Sequence, residues 1–318
     1  MSDLKKPLAT RREFLQTTSV LTTSAALAPA SAATVDLAVI DTHQHLWDLT
    51  KFRLPWLENA KSLDRSFLMS DYLKATTGLN IVKSVYMEVD VDVAQQLAEA
   101  QYVLGIIDAH EGPMVGAVVS GRPSDPGFAA YLDNFLRKPA IKGLRQVLHS
   151  PLTPRGYCLD PKFVAGIRLL GERNLSFDLC LRADELDDGA KLIATCPDTS
   201  FILDHCGNAN VQSPDRTKWK QGLGAIAKLK NVSAKVSGIV ASAKPHAWSA
   251  TDLAPIINHV LEEFGPNRVV FGGDWPVCTL VASYREWFDA LRLIVNDRPL
   301  TDQKKLFHDN AIRVYKLS

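Results

Sequence analysis

The sequence predicts a single-domain (β/α)8 TIM barrel with an extra C-terminal helix, and three observations carry that prediction. Eight short apolar runs rich in Val, Ile, Leu and Phe begin near Leu37, Val82, Val115, Ile141, Ser176, Ser200, Val232 and Arg268. Their spacings run from 24 to 45 residues, the length of one strand plus a returning helix. The first run turns through Asp41-Thr-His-Gln-His45 without a glycine. A doubly wound open sheet, the other solution for alternating strands and helices, wants a glycine-rich turn there.

Taken in order, residues 1–32 stand apart from the fold. Arg11-Arg12-Glu-Phe-Leu15 precedes a mildly apolar stretch over residues 20–28 and the small-residue site Ala30-Ser31-Ala32, which together read as a twin-arginine export signal cleaved after Ala32. The apolar stretch is too short and too rich in Thr and Ser for a stable membrane span. The expectation is a soluble, exported, periplasmic protein whose only membrane dealings are with the twin-arginine translocase, leaving residues 33–318 as the barrel. Of the helices, residues 252–264 start after Ser249-Ala-Thr251 and stop at Gly265-Pro266. Residues 283–294 space Tyr284, Trp287, Phe288 and Leu291 helically, and residues 302–315 present Leu306, Ile312 and Tyr315 for packing. No Pro/Gly/Ser linker or charge block divides the chain.

Without the leader the chain carries 32 basic and 33 acidic residues. That balance gives no electrostatic case for nucleic acid or an anionic membrane and leaves small molecules as ligands. A homo-oligomer stays open. Five cysteines at irregular spacing form no disulfide framework, and no Cys-x-x-Cys occurs to ligate a metal.

The chemistry gathers at strand ends. His43 and His45 follow the first apolar run, and His205 and Asp274 sit at the ends of the sixth and eighth, which barrel closure would bring to one mouth. Alternation along each strand then sorts the neighbours. Anchored on His43, it places Val39 and Asp41 toward the axis and Ala38 and Ile40 toward the helices. It sets Ser84, Tyr86 and Glu88 against Val85 and Met87, and groups Arg145 with Val147. Asp178, Cys180 and Arg182 oppose Phe177, Leu179 and Leu181, Leu203 goes with His205, Lys235 with Ser237, and Gly272 with Asp274. Asp41 and Asp178 read equally well as buried ion-pair partners and Glu88 as the orienter of an arginine, while Lys235, toward the middle of its strand, reads first as a structural ion-pair partner. Arg145 and Arg182 suit a carboxylate or an oxygen-rich substrate, since a guanidinium offers planar bidentate donors. His149, just past the fourth strand, is within reach of the mouth. His110, His246, His259 and His308 lack matching partners and read as structural or solvated. The long first loop, about residues 47–65 with Trp56 in it, is placed to cover a substrate.

Asp41-Thr-His-Gln-His-Leu-Trp-Asp48, Gly143-Leu-Arg145, Leu203-Asp-His-Cys-Gly207, Lys235-Val-Ser-Gly238, Phe271-Gly-Gly-Asp-Trp-Pro-Val-Cys278 and Asn310-Ala-Ile-Arg-Val-Tyr315 together resemble the amidohydrolase superfamily. The likeness is to its amidohydrolase-related (amidohydrolase 2) branch, and within that to the sugar-lactonase-like group typified by fuconolactonases. The resemblance implies that His43, His45, His205 and Asp274 bind a single divalent metal, zinc by ligand type, or polarise the substrate carbonyl; members differ in whether a metal is needed at all. The fourth strand lacks a terminal lysine to be carboxylated and the fifth lacks a histidine, so a two-metal site is not expected. Gly273 stands where the group commonly has Ser.

The implied activity is opening of a lactone ring, most naturally that of a sugar acid. Asp274 serves as general base, His205 assists at the carbonyl, and Arg145, Arg182, Trp47, Trp275, Glu88 and His149 hold the substrate. The alternatives are a zinc-dependent decarboxylase on the same barrel and an exported sugar-binding protein without catalysis.

Overall fold

Eight parallel strands hydrogen-bond in the order β1 to β8. The computed structural model describes residues 37–318, so the export leader read from residues 1–32 lies outside the described residues. The strands are β1 Val39–Gln44, β2 Ile81–Met87, β3 Met114–Ser120, β4 Ile141–Val147, β5 Ser176–Cys180, β6 Ser200–Leu203, β7 Val232–Val236 and β8 Val269–Phe271. Each begins within two residues of the position expected from the apolar runs. The ring closes where β1 meets the chain leaving β8: Asp274 N donates to His43 O at 2.8 Å, His45 N donates to Trp275 O at 2.8 Å, and Thr42 Oγ1 donates to Phe271 O at 2.6 Å.

Two apolar cores follow from the strand alternation. Leu144, Phe177, Leu179, Phe201, Leu203 and Phe271 pack outward with the helices. Ile40, Val85, Met87, Val118, Ile202 and Val270 form a smaller cluster inside the barrel, which Ala311, Tyr315 and Leu317 of the C-terminal segment plug from below. That segment runs as Leu300–Lys304, a π-helical turn Lys305–Asp309, and Asn310–Val314. The two readable helices appear as Ala250–Phe264 and Tyr284–Ile294, each opened by a capping box, Ser249 with Asp252 and Ser283 with Glu286. Among the described residues no helix is long and apolar enough to cross a membrane.

Simple alternation misplaces side chains in three strands. From Asp41 to Gln44 β1 advances three residues while β2 advances two, from Ser84 to Tyr86. This extra residue resets the period, so Ile40 and His43 both face inward and Asp41 faces the helices. In β2, Val85 and Met87 face inward and the Tyr86 hydroxyl donates to Glu99 on the helix Gln96–Asp108 at 2.9 Å, as alternation sets them apart, but Glu88, just past the strand, leaves the face of Tyr86 and meets Arg145. In β6, Leu203 faces outward; His205 has φ of +53°, so the chain has left the extended conformation and period two no longer applies to it.

Candidate active site

The mouth is a cavity of about 470 Å³ at the C-terminal ends of the strands. His45, Arg145, His149, His205 and Asp274 line it, with Trp56 and Asp90 at its wall. Local backbone geometry aims the key groups. Asp274, like His205, is held in the left-handed region, at φ of +54°. Gly238, itself at φ of +61°, leaves the space that His205 needs: a Cβ there would sit 2.3 Å from the imidazole Nδ1.

Three donor atoms converge. His43 Nε2 lies 3.5 Å and His45 Nε2 3.3 Å from Asp274 Oδ1, and all three groups are buried. Because a carbonyl can only accept, the 2.9 Å contact of His45 Nδ1 with Met87 O puts the proton on Nδ1 and turns the Nε2 lone pair to Asp274. Tetrahedral ligands at roughly 2.0–2.2 Å from one zinc ion lie about 3.4 Å apart. The observed separations match that spacing, so the donor set fits one divalent ion. The His205 ring centroid lies 4.5 Å from that of His43, and its Nδ1 is 2.9 Å from Ser237 Oγ.

Beneath these groups runs a chain of alternating buried charges. Arg145 Nε donates to Glu88 at 2.7 Å, and its Nη1 reaches Asp204 at 3.4 Å. Lys235 lies 2.9 Å from Asp204 and 2.7 Å from Asp178, with its Nζ 3.2 Å from His43 Nδ1. Burial and the Lys235 ammonium hold the His43 imidazole well below the usual range, which keeps it neutral as a ligand must be. Burial pushes His205 down as well, but the Asp274 carboxylate, Cys180 and Asp204 more than offset it and its pKa is raised. Burial would raise Asp204, yet Lys235 and His43 hold its carboxyl well below the ordinary value.

Of the expected substrate-holding residues, the structure brings Arg145 and His149 to the cavity. His149 Nδ1 sits 3.2 Å from Cys180 Sγ. Glu88 is buried behind Arg145, and also accepts from Ser120 Oγ at 2.7 Å and Asp90 N at 2.7 Å. The other three do not line it. Arg182 spends its guanidinium on the carbonyls of Ser150 and Thr153 and on Glu185, tying down the loop after β4. Trp47 is fully buried and donates to Arg65 O at 2.6 Å. Trp275 is 3% exposed and packs edge-on against Phe67 and Tyr72. A tryptophan beside a catalytic motif reads as a rim residue, but both rings serve the core under the first loop, whose Trp56 reaches the cavity instead. Asp41 is structural too. It accepts from the Tyr72 and Tyr284 hydroxyls at 2.9 Å each and from the amides of Gly273 and His43. A Cβ at Gly273 would meet the Tyr284 ring at 2.3 Å, so this barrel has no room there for a serine without repacking.

Asp204 is the residue that sequence reasoning missed. Its signal was present, a carboxylate directly before His205 and at the same parity as Ile202, but anchoring β6 on His205 assigned it to the wrong face.

The fold and the site define a barrel enzyme whose mouth holds a metal-competent His43/His45/Asp274 centre, with His43, Asp204 and His205 as a second such group beside it. The chain belongs to the amidohydrolase family, whose profile matches residues 40–317. It is therefore a hydrolytic enzyme. It is 27% identical to an L-fucono-1,5-lactonase of Burkholderia multivorans over 290 residues, covering 87% of this chain and 96% of that one. Against an L-rhamnono-gamma-lactonase of Scheffersomyces stipitis the identity is 20%, over 88% of this chain and 98% of the other. An amidohydrolase from Burkholderia multivorans, solved with bound zinc, superposes with a TM-score of 0.79 at 25% identity, over 88% of this chain and 99% of that one.

Proposed function

We propose that this enzyme hydrolyses the ring ester of a sugar-acid lactone. The observation that carries the reading is the convergence of His45, His205 and Asp274 on one cavity of about 470 Å³, with the buried His43 directly behind them. The lactonase relatives support the reaction class. The cavity wall supports a hydroxylated substrate: Ser150, Asn208, Ser242 and Asp90 line it beside Trp56.

Asp274 takes a proton from the attacking water as the water oxygen bonds the ring carbonyl carbon, then returns it to the ring oxygen as that C–O bond breaks. The product is the open hydroxy acid. His205, on the cavity wall, stabilises negative charge on the carbonyl oxygen, and the Arg145 guanidinium, bonded to Glu88, adds its positive charge to the same wall. A divalent ion held by His43, His45 and Asp274 would supply Lewis-acid polarisation of that carbonyl.

A panel of aldonolactones, with and without chelator, tests this with the wild-type enzyme and with Asp274→Asn. Turnover of at least one aldonolactone is expected, falling on the order of 10²–10⁴-fold in Asp274→Asn. His205→Asn is expected to be impaired as well and His259→Asn near wild type, which separates chemistry from general instability. Absence of turnover across the panel, or a folded Asp274→Asn enzyme at full rate, overturns the reading. Periplasmic export through the twin-arginine route is proposed on the leader sequence. Changing Arg11 and Arg12 to Lys is expected to retain precursor inside the cell, and unaltered export overturns it.

A further inference from the structure

A second cavity, of about 450 Å³, opens at the opposite end of the barrel, where β4, β5 and β6 begin at Ile141, Ser176 and Ser200. Its charge is one-sided. Arg137, Lys138, Lys142, Arg173 and Lys316 line it, against the single carboxylate of Asp198. Arg173 is neutralised by Asp133 at 2.6 Å. Lys142 donates to the Lys316 carbonyl at 3.1 Å, and Lys316 donates to the carbonyl and side-chain oxygens of Asn174, so both ammonium groups meet only neutral acceptors. Arg137 and Lys138 have no side-chain partner among the described residues. The whole chain carries a formal charge of only +1, so this excess is local. Burial and the neighbouring Lys316 hold the Lys142 amine below its ordinary value, the direction expected when two ammonium groups share a wall without a counter-charge.

Apolar side chains share the lining: Leu132, Phe135 and Ile141, each buried, with Leu136 and Pro139 exposed. Concave basic walls focus potential and concentrate anions, while adjoining apolar side chains reward a hydrocarbon group on the same ligand. We infer that this lower cavity is a binding site, separate from the catalytic mouth, for a small oxyanion (phosphate or carboxylate) that carries an aromatic or alkyl group.

Titration calorimetry of the full chain at constant ionic strength tests the site, with phenyl phosphate and inorganic phosphate as probes. Phenyl phosphate is expected to bind saturably and about tenfold tighter than inorganic phosphate, reflecting the apolar side chains of the lining. The double variant Arg137→Gln/Lys138→Gln, which removes two cations whose side chains have no hydrogen bond or ion pair among the described residues, is expected to weaken it about tenfold. Binding is expected to persist in Asp274→Asn and in chelator, because the mouth is at the other end of the barrel. Lack of saturation, equal affinity of the two probes, indifference to the double variant, or loss in Asp274→Asn would each overturn the inference. Loss confined to Asp274→Asn would locate the probe at the mouth, leaving the hydrolytic reading intact.

Discussion

Glu99 shows how one buried carboxyl carries a pH signature. Its Oε1 accepts from Tyr86 Oη at 2.9 Å and Val89 N at 2.8 Å. Burial, with the Glu88 charge next to it, raises its pKa from 4.5 to about 7. Between those values the folded chain holds a proton that the unfolded chain has released. The stability contributed by this group is therefore complete below about pH 4.5 and is lost as the pH rises through about 7. Glu99→Gln stays neutral and keeps a carbonyl to accept both bonds. Its urea midpoint relative to wild type is expected to improve between about pH 5 and about pH 8. A midpoint difference that does not change with pH would show that Glu99 ionises normally. The same scale explains which site residues could be read in advance. His43, His45 and Asp274 are legible because their types and strand-end positions are chemical signals in themselves. Asp204 carries a signal too, but alternation anchored on His205 hides it, and its role rests on Lys235 and Arg145, which arrive from other strands.

At the scale of elements, the loop after β4 depends on β5. It places His149 and Ser150 at the cavity, and Arg182, just past β5, holds it through the carbonyls of Ser150 and Thr153. Glu185 completes the clamp by accepting from Gly156 N at 3.0 Å. Arg182→Lys keeps the charge but loses the forked donor geometry. The expected outcome is a several-fold rise in KM with kcat little changed, since the loop shapes binding and the proton-transfer groups lie elsewhere. An equal fall in kcat and kcat/KM would instead assign Arg182 a transition-state contact. The strands themselves were legible from apolar runs, because β/α units of regular length repeat the same burial problem. Their facing was not always legible: the extra residue in β1 between Asp41 and Gln44, and the left-handed turn at His205, are backbone events that leave no mark on hydrophobic period.

At the scale of the molecule, the C-terminal plug and the catalytic mouth share one polar chain. The Tyr315 hydroxyl donates to Asp178 at 2.7 Å, Asp178 pairs with Lys235, and Lys235 abuts His43. Burial raises the Asp178 carboxyl to about 6 even though Lys235 lowers it, so every donor to it counts. Tyr315→Phe is expected to lower stability by about 1–3 kcal/mol in urea unfolding, the cost of leaving a buried acceptor short of a partner. A loss well under that range would mean that Asp178 is satisfied by Lys235 alone.

The order of secondary elements, the barrel they build and the residue types at its mouth follow from composition and spacing, because burial period and strand-end chemistry are properties of short segments. The assignment of Arg182, Trp47, Trp275 and Asp41 to packing and clamping, and of Asp204 to the charged heart of the site, was decided only by the tertiary structure. Most of those roles are contacts with other strands or loops, and whether a side chain reaches substrate or protein depends on which partner the fold delivers to it first.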